Sequence, residues 1–148
     1  MRGEQQAALE VFVGDWQAEG LSFGGPNQDP VDPRADPTRW ISTHSARWHS
    51  GEFFLIQNEH AQVRGPFDTF SVMGWDDDAG RHFASFYDNH GFRRHYDVLA
   101  EGSVWWFNGE RERARIEFSD DGRRQTIAWQ WRPDDDWLPL CDRVADKR

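Results

Sequence analysis

The chain has a single cysteine, Cys141, among 148 residues, which excludes an internal disulfide framework and a thiolate zinc cluster. Its stability must come from packing. No run approaches the roughly 20 apolar residues of a membrane span. The opening Met1-Arg2-Gly3-Glu4-Gln5-Gln6 also lacks the apolar core of a secretion signal, so a cytoplasmic protein with no membrane partner is expected. Basic stretches are missing as well. A formal charge of -9 leaves no stripe able to neutralise a row of phosphates, which argues against nucleic acid or an anionic membrane surface as partner. No Pro/Gly/Ser-rich linker divides the sequence, and residues 1–148 read as one domain. Nucleophile elbows, phosphate-cradling loops and dinucleotide fingerprints are absent, so nucleophilic hydrolysis and nucleotide chemistry have no sequence support.

What the chain has in abundance is large rings, 9 Trp and 11 Phe, many flanked by charged residues. That mixture suits a thin wall with one wet face and one aromatic face. Residues 4–12 place Ala8, Leu9, Val11 and Phe12 at spacings compatible with one short helix, which fits a plug or lid. From Val13 onward the period is two, and no sustained helical period follows. Strands are predicted at 15–23, 38–48, 52–62, 69–75, 81–88, 92–100, 104–108, 113–118, 125–131 and 137–144. Turn chemistry separates them, as in Asp76-Asp77-Asp78-Ala79-Gly80, Asn108-Gly109 and Asp120-Asp121-Gly122. The Pro- and Asp-rich loop that begins at Gly24 is long enough to be functional or mobile. The fold class this predicts is all-β: an antiparallel up-and-down barrel of about eight to ten strands with a short N-terminal helix.

Alternation assigns faces, and a slip of one residue reverses any strand. Trp40, Ser42, His44, Ala46 and Trp48 form one inward set, and Ile127, Trp129 and Trp131 another. Ile116 and Phe118 join them. On the strand at 104–108, Val104 and Trp106 are placed inward, although Trp105 and Phe107 are equally apolar. Phe92, Arg94, Tyr96 and Val98 share a face that puts Arg94 in the lumen or at its mouth, where a buried guanidinium needs an acceptor.

The run Leu9-Glu10-Val11-Phe12-Val13-Gly14-Asp15-Trp16 resembles the Gly-x-Trp opening of the calycins, in which the Trp closes the barrel floor. More narrowly, the chain is similar to bacterial lipocalin-like proteins of unknown function. The matching elements are Gly51-Glu52-Phe53-Phe54-Leu55, Gly74-Trp75-Asp76, Tyr87-Asp88-Asn89-His90-Gly91 and Trp129-Gln130-Trp131 before an acidic turn. The resemblance implies a barrel with a small-molecule cavity and names no ligand. Haem-binding members, the nitrobindin-like proteins, ligate iron through a late His. Here the last His is His95, and no cofactor is expected.

Six His residues invite a metal, yet the closest pairs, His44 with His49 and His90 with His95, are five apart and face opposite sides of a strand. No metal is expected. The acidic triplets at 76–78 and 134–136 lack a calcium loop's oxygen pattern and read as hairpin turns. Asp88, Arg94 and Tyr96 form the densest polar group, able to tune an acid or base or to orient a ligand; the simpler alternative is a turn in which Asp88 caps its own backbone. His44, between the small residues Ser42 and Ala46, is the best single cavity base, against the alternative of a hydroxyl-satisfied core histidine.

The leading expectation is binding of a small, largely apolar or aromatic molecule in the lumen, by Trp40, His44, Trp48, Asp88, Arg94, Tyr96, Trp106, Trp129 and Trp131. The alternative is a cofactor-free isomerase or cyclase in the same cavity, with His44, Asp88 and Tyr96 as candidate catalytic groups. A third reading is a module that self-associates, as a homodimer, through an exposed aromatic patch.

Overall fold

The computed structural model describes residues 3–148; Met1 and Arg2, the start of the segment read for a secretion signal, lie outside the described residues. A short helix α1 (Glu4–Ala7) runs into a 3-10 turn (Ala8–Phe12). Ten strands follow: β1 (Gly14–Ser22), β2 (Thr38–Trp48), β3 (Leu55–Gln62), β4 (Pro66–Asp76), β5 (Arg81–Asp88), β6 (Arg93–Glu101), β7 (Val104–Asn108), β8 (Glu112–Phe118), β9 (Arg124–Trp131) and β10 (Leu138–Lys147). Each pairs antiparallel with its sequence neighbour, and β10 returns to pair with β1, so the sheet closes. This is the all-β barrel the hairpin rhythm predicts, and closure removes the exposed edges. No helix among the described residues is long and apolar enough to cross a membrane.

One end of the barrel is plugged. Leu9 and Phe12 of the 3-10 turn are buried, and the Phe12 ring packs edge-on against Trp105 at 5.1 Å and Phe118 at 5.0 Å. Trp16, fully buried at the start of β1, donates its indole N–H to the Phe12 carbonyl at 2.9 Å, which ties the plug to the wall. Trp48 at the end of β2 donates to Glu10, and the His82 ring nitrogen meets the Gln5 carbonyl oxygen at 2.6 Å. The lower lumen is thus packed core.

At the opposite end the chain between β1 and β2 folds back against β10. Gln28 donates to the Pro139 carbonyl at 2.7 Å and accepts from the Trp131 indole at 2.6 Å, while Arg34 pairs with Asp142 at 2.6 Å. The predicted long loop is therefore tethered midway along its length, at Gln28 and Arg34. Gly20 makes the β1–β10 contact possible, since a Cβ there would fall on the Asp142 carbonyl and the Arg143 backbone.

Two faces differ from the sequence expectation. On β7 the inward rings are Trp105 and Phe107, both buried, and Trp106 points outward beneath the Arg115 guanidinium, 5.5 Å from its ring centre. The alternation cannot be read from a strand apolar at nearly every position; register decides it, because Phe107 stands opposite the buried Val98 and Ala114. Trp106 is opposite Leu99, which is itself exposed. Phe92 lies just outside β6 and is exposed, with the Arg94 guanidinium 4.7 Å over its ring.

Candidate functional site

Above the packed floor the lumen widens into a cavity of about 260 Å³ at the end away from the plug. Trp40 of β2, Phe67 of β4, Phe86 of β5, Tyr96 of β6 and Trp129 of β9 supply its rings. Phe86, Tyr96 and Trp129 pack edge to face, with centroids 5.3 Å (Phe86–Tyr96), 6.0 Å (Phe86–Trp129) and 5.3 Å (Tyr96–Trp129) apart. They form one aromatic wall. Charged groups enter the cavity from two sides.

On the first side stands Arg94, between two carboxylates. Its Nη1 donates to Asp88 Oδ2 at 3.2 Å and its Nε pairs with Glu112 at the start of β8. Asp88 is not free to do more. Its Oδ1 accepts the backbone N–H groups of His90 at 2.9 Å and Phe92 at 3.2 Å, so it caps the β5–β6 turn while holding Arg94. Burial lifts the Glu112 carboxyl above the usual carboxylate range; Asp88 adds to the rise, against the opposing pull of Arg94 and the Tyr96 hydroxyl. Burial raises the Tyr96 phenol in the same way, with Glu112 reinforcing it.

On the second side Arg143 of β10 donates through Nη1 to both oxygens of Glu59 on β3, at 3.3 and 3.2 Å, and its guanidinium lies 4.3 Å over the Trp40 ring. The Trp40 indole donates to Ser42 Oγ at 3.0 Å, and Ser42 donates to Glu59 Oε2 at 3.0 Å. His44 Nδ1 is 3.6 Å from the same oxygen, an ion-pair spacing beyond hydrogen-bond reach, and its ring stacks on Trp16. Burial alone would raise the Glu59 carboxyl; Arg143, His44 and Ser42 outweigh it and hold the group at about 2. The pair stays ionised.

Beneath this pair lies a smaller chamber of about 30 Å³, bordered by Glu59, Arg143, His44 and Gln125. His44 Nδ1, Gln125 Nε2 and Arg143 Nε are buried there without a hydrogen-bond partner in the protein. The chamber is large enough to hold a water, and these three nitrogens are the polar groups such a water would meet.

Of the residues singled out in the sequence, the structure gathers Trp40, Asp88, Arg94, Tyr96 and Trp129 on the cavity. His44 borders the lower chamber, Trp48 packs at the plug end, Trp131 sits beside the mouth bonded to Gln28, and Trp106 is on the outer surface. Among the described residues no three His, Cys, Asp or Glu side chains converge as metal ligands. Sequence reasoning passed over Glu59, Glu112 and Arg143. Each lies at an inward position among small or apolar residues, as in Leu55, Glu59, Ala61 on β3 and Cys141, Arg143, Ala145 on β10, and that conflict with the alternation was the available signal.

Comparison with known proteins places the fold. The family model described as "Protein of unknown function (DUF1579)" matches residues 2–141. The crystal structure of Rv2717c from M. tuberculosis is similar over 100% of this chain and 99% of that one, with a TM-score of 0.71 at 12% identity. The S-type phycobiliprotein lyase CPES from Guillardia theta is similar over 99% of this chain and 94% of that one, with a TM-score of 0.60 at 12% identity. No curated protein matches the sequence.

Proposed function

The chain belongs to this DUF1579 family, and we propose that it is a cytoplasmic, calycin-like barrel that binds a small, largely aromatic organic molecule in its upper lumen. The observation that carries the reading is the 260 Å³ cavity, with its wall of Phe86, Tyr96 and Trp129 facing a few fixed polar groups. Ligand sites are concave, mostly apolar and sparsely polar, with volumes of roughly 300–1,000 Å³, so this one suits a molecule of one or two rings. A barrel of similar architecture that carries the name of a lyase supports the idea that such a lumen handles a ligand. The Gly14-Asp15-Trp16 opening supports the calycin reading, since Trp16 is fully buried at the plugged end and bonded to the Phe12 carbonyl. Native mass spectrometry of protein purified from its host under non-denaturing conditions tests the binding reading: a retained small molecule, lost when Thr69→Trp fills the lumen, is the expected result.

One observation favours an enzyme on the same site. Glu112, its carboxyl raised by burial, faces the cavity beside the Tyr96 hydroxyl and is suited to hold and deliver a proton. A cofactor-free isomerisation or cyclisation would use it. Turnover of the retained molecule lost in Glu112→Gln with binding preserved supports that reading; unchanged turnover removes it.

A further inference from the structure

The charges around the cavity do not balance, and their imbalance has a sign. Among the described lining residues, Glu59, Asp88 and Glu112 bring three carboxylates and Arg94 and Arg143 two guanidinium groups. Glu59 and Arg143 neutralise one another, and the Arg143 guanidinium is covered by the Trp40 ring. Arg94 is shared by Asp88 and Glu112, with the Phe92 ring against it. One carboxylate is therefore in excess. Asp88 accepts three donors, two backbone N–H groups and Arg94, whereas Glu112 takes two, Arg94 and the Tyr96 hydroxyl, and so keeps more acceptor capacity for a further donor.

An anionic ligand meets the opposite situation. It would have to displace a carboxylate from a guanidinium that is already paired, in a site whose net charge opposes it. A cation gains on three counts. It completes Glu112 by a charge-assisted hydrogen bond, it faces the ring electrons of Phe86, Tyr96 and Trp129 in a partly desolvated space, and it is drawn toward a protein of net charge -9. The penalty that burial and Asp88 place on ionised Glu112 falls when a positive group arrives.

We infer that the cavity selects a small aromatic amine, its ammonium on Glu112 and its ring against Phe86 and Trp129. This rests on the lumen-binding reading and deepens it by fixing the charge of the ligand. Three probes that share a phenethyl group test it by titration calorimetry of the full chain at neutral pH: 2-phenylethylamine, its isostere 2-phenylethanol, and 3-phenylpropionate. The amine is expected to bind at least about tenfold more tightly than the alcohol, with the acid weakest, a gap of roughly 1.4 kcal/mol or more. In Glu112→Gln the preference for the amine over the alcohol should fall to within about threefold while alcohol affinity holds. The comparison on the unaltered protein stands even if that variant does not fold. Equal binding of amine and alcohol, tightest binding of the acid, or a preference that survives Glu112→Gln overturns the inference and leaves lumen binding intact. Failure of all three probes to bind overturns both.

Discussion

Arg143 on β10 reaches across β1 and β2 to donate to both carboxylate oxygens of Glu59 on β3, at 3.3 and 3.2 Å. The two strands are not hydrogen-bonded neighbours, so this ion pair braces the barrel wall from inside. It also separates the ligand-sized cavity above from the water-sized chamber below.

Removing one partner leaves the other buried and unmatched. Arg143→Met is expected to destabilise the fold by about 3–5 kcal/mol, and Glu59→Leu in the same protein should recover much of that loss, because two apolar side chains leave no bare charge. Urea denaturation of the single and double variants reads this directly. A single variant as stable as the parent would show that the pair does not brace the wall.

The same pair makes stability depend on acid. Glu59 is held at about 2, against an ordinary 4.5, so its folded value is depressed. Its contribution is complete above the unfolded value and disappears as the pH drops from about 4.5 toward 2, amounting to a few kcal/mol. The stability difference between the parent and the Arg143→Met, Glu59→Leu double variant should change across that window and be flat above pH 6. A difference independent of pH from 2 to 6 would contradict the assignment.

Cys141 is buried on the cavity wall, and burial pushes its thiol up to about 11. Thiolate is the reactive form, so the native protein at pH 8 should react with 5,5′-dithiobis(2-nitrobenzoic acid) at least about tenfold more slowly than a free thiol such as glutathione. Full reactivity should return on unfolding. Fast reaction of the folded protein would place the thiol in solvent.

Gly20 lies where β1 and β10 approach too closely for a side chain. Gly20→Ala should cost about 1–3 kcal/mol through overpacking, which is measurable as a lowered urea midpoint with little change in slope. A neutral substitution would mean the strands can separate at no cost.

The barrel itself was legible from period-two segments and turn residues, and the inward set on β2, with Trp40, Ser42, His44 and Ala46 all buried, followed from alternation alone. Val104-Trp105-Trp106-Phe107 resisted, because alternation carries no information when neighbouring residues are all apolar; there the cross-strand partners Val98 and Ala114 fix the face. The polar half of the site was hidden for a different reason. Glu59, Glu112 and Arg143 are charged, and a charged residue on a strand reads as solvent-facing unless its partner is known. Glu59 and Arg143 lie 84 positions apart and come together through closure of the sheet, while Arg94 and Glu112 meet across the intervening β7. Asp88 caps the turn with one oxygen and holds Arg94 with the other.

The most direct test of lumen binding is a calorimetric titration of the protein and of Thr69→Trp with a neutral aromatic probe, 2-naphthol. Thr69 lines the cavity on β4, opposite Glu59 of β3 and Asp88 of β5, and a tryptophan there fills the space between them. The account predicts saturable one-to-one binding to the parent and its loss in the folded variant. Equal binding by both proteins would contradict it.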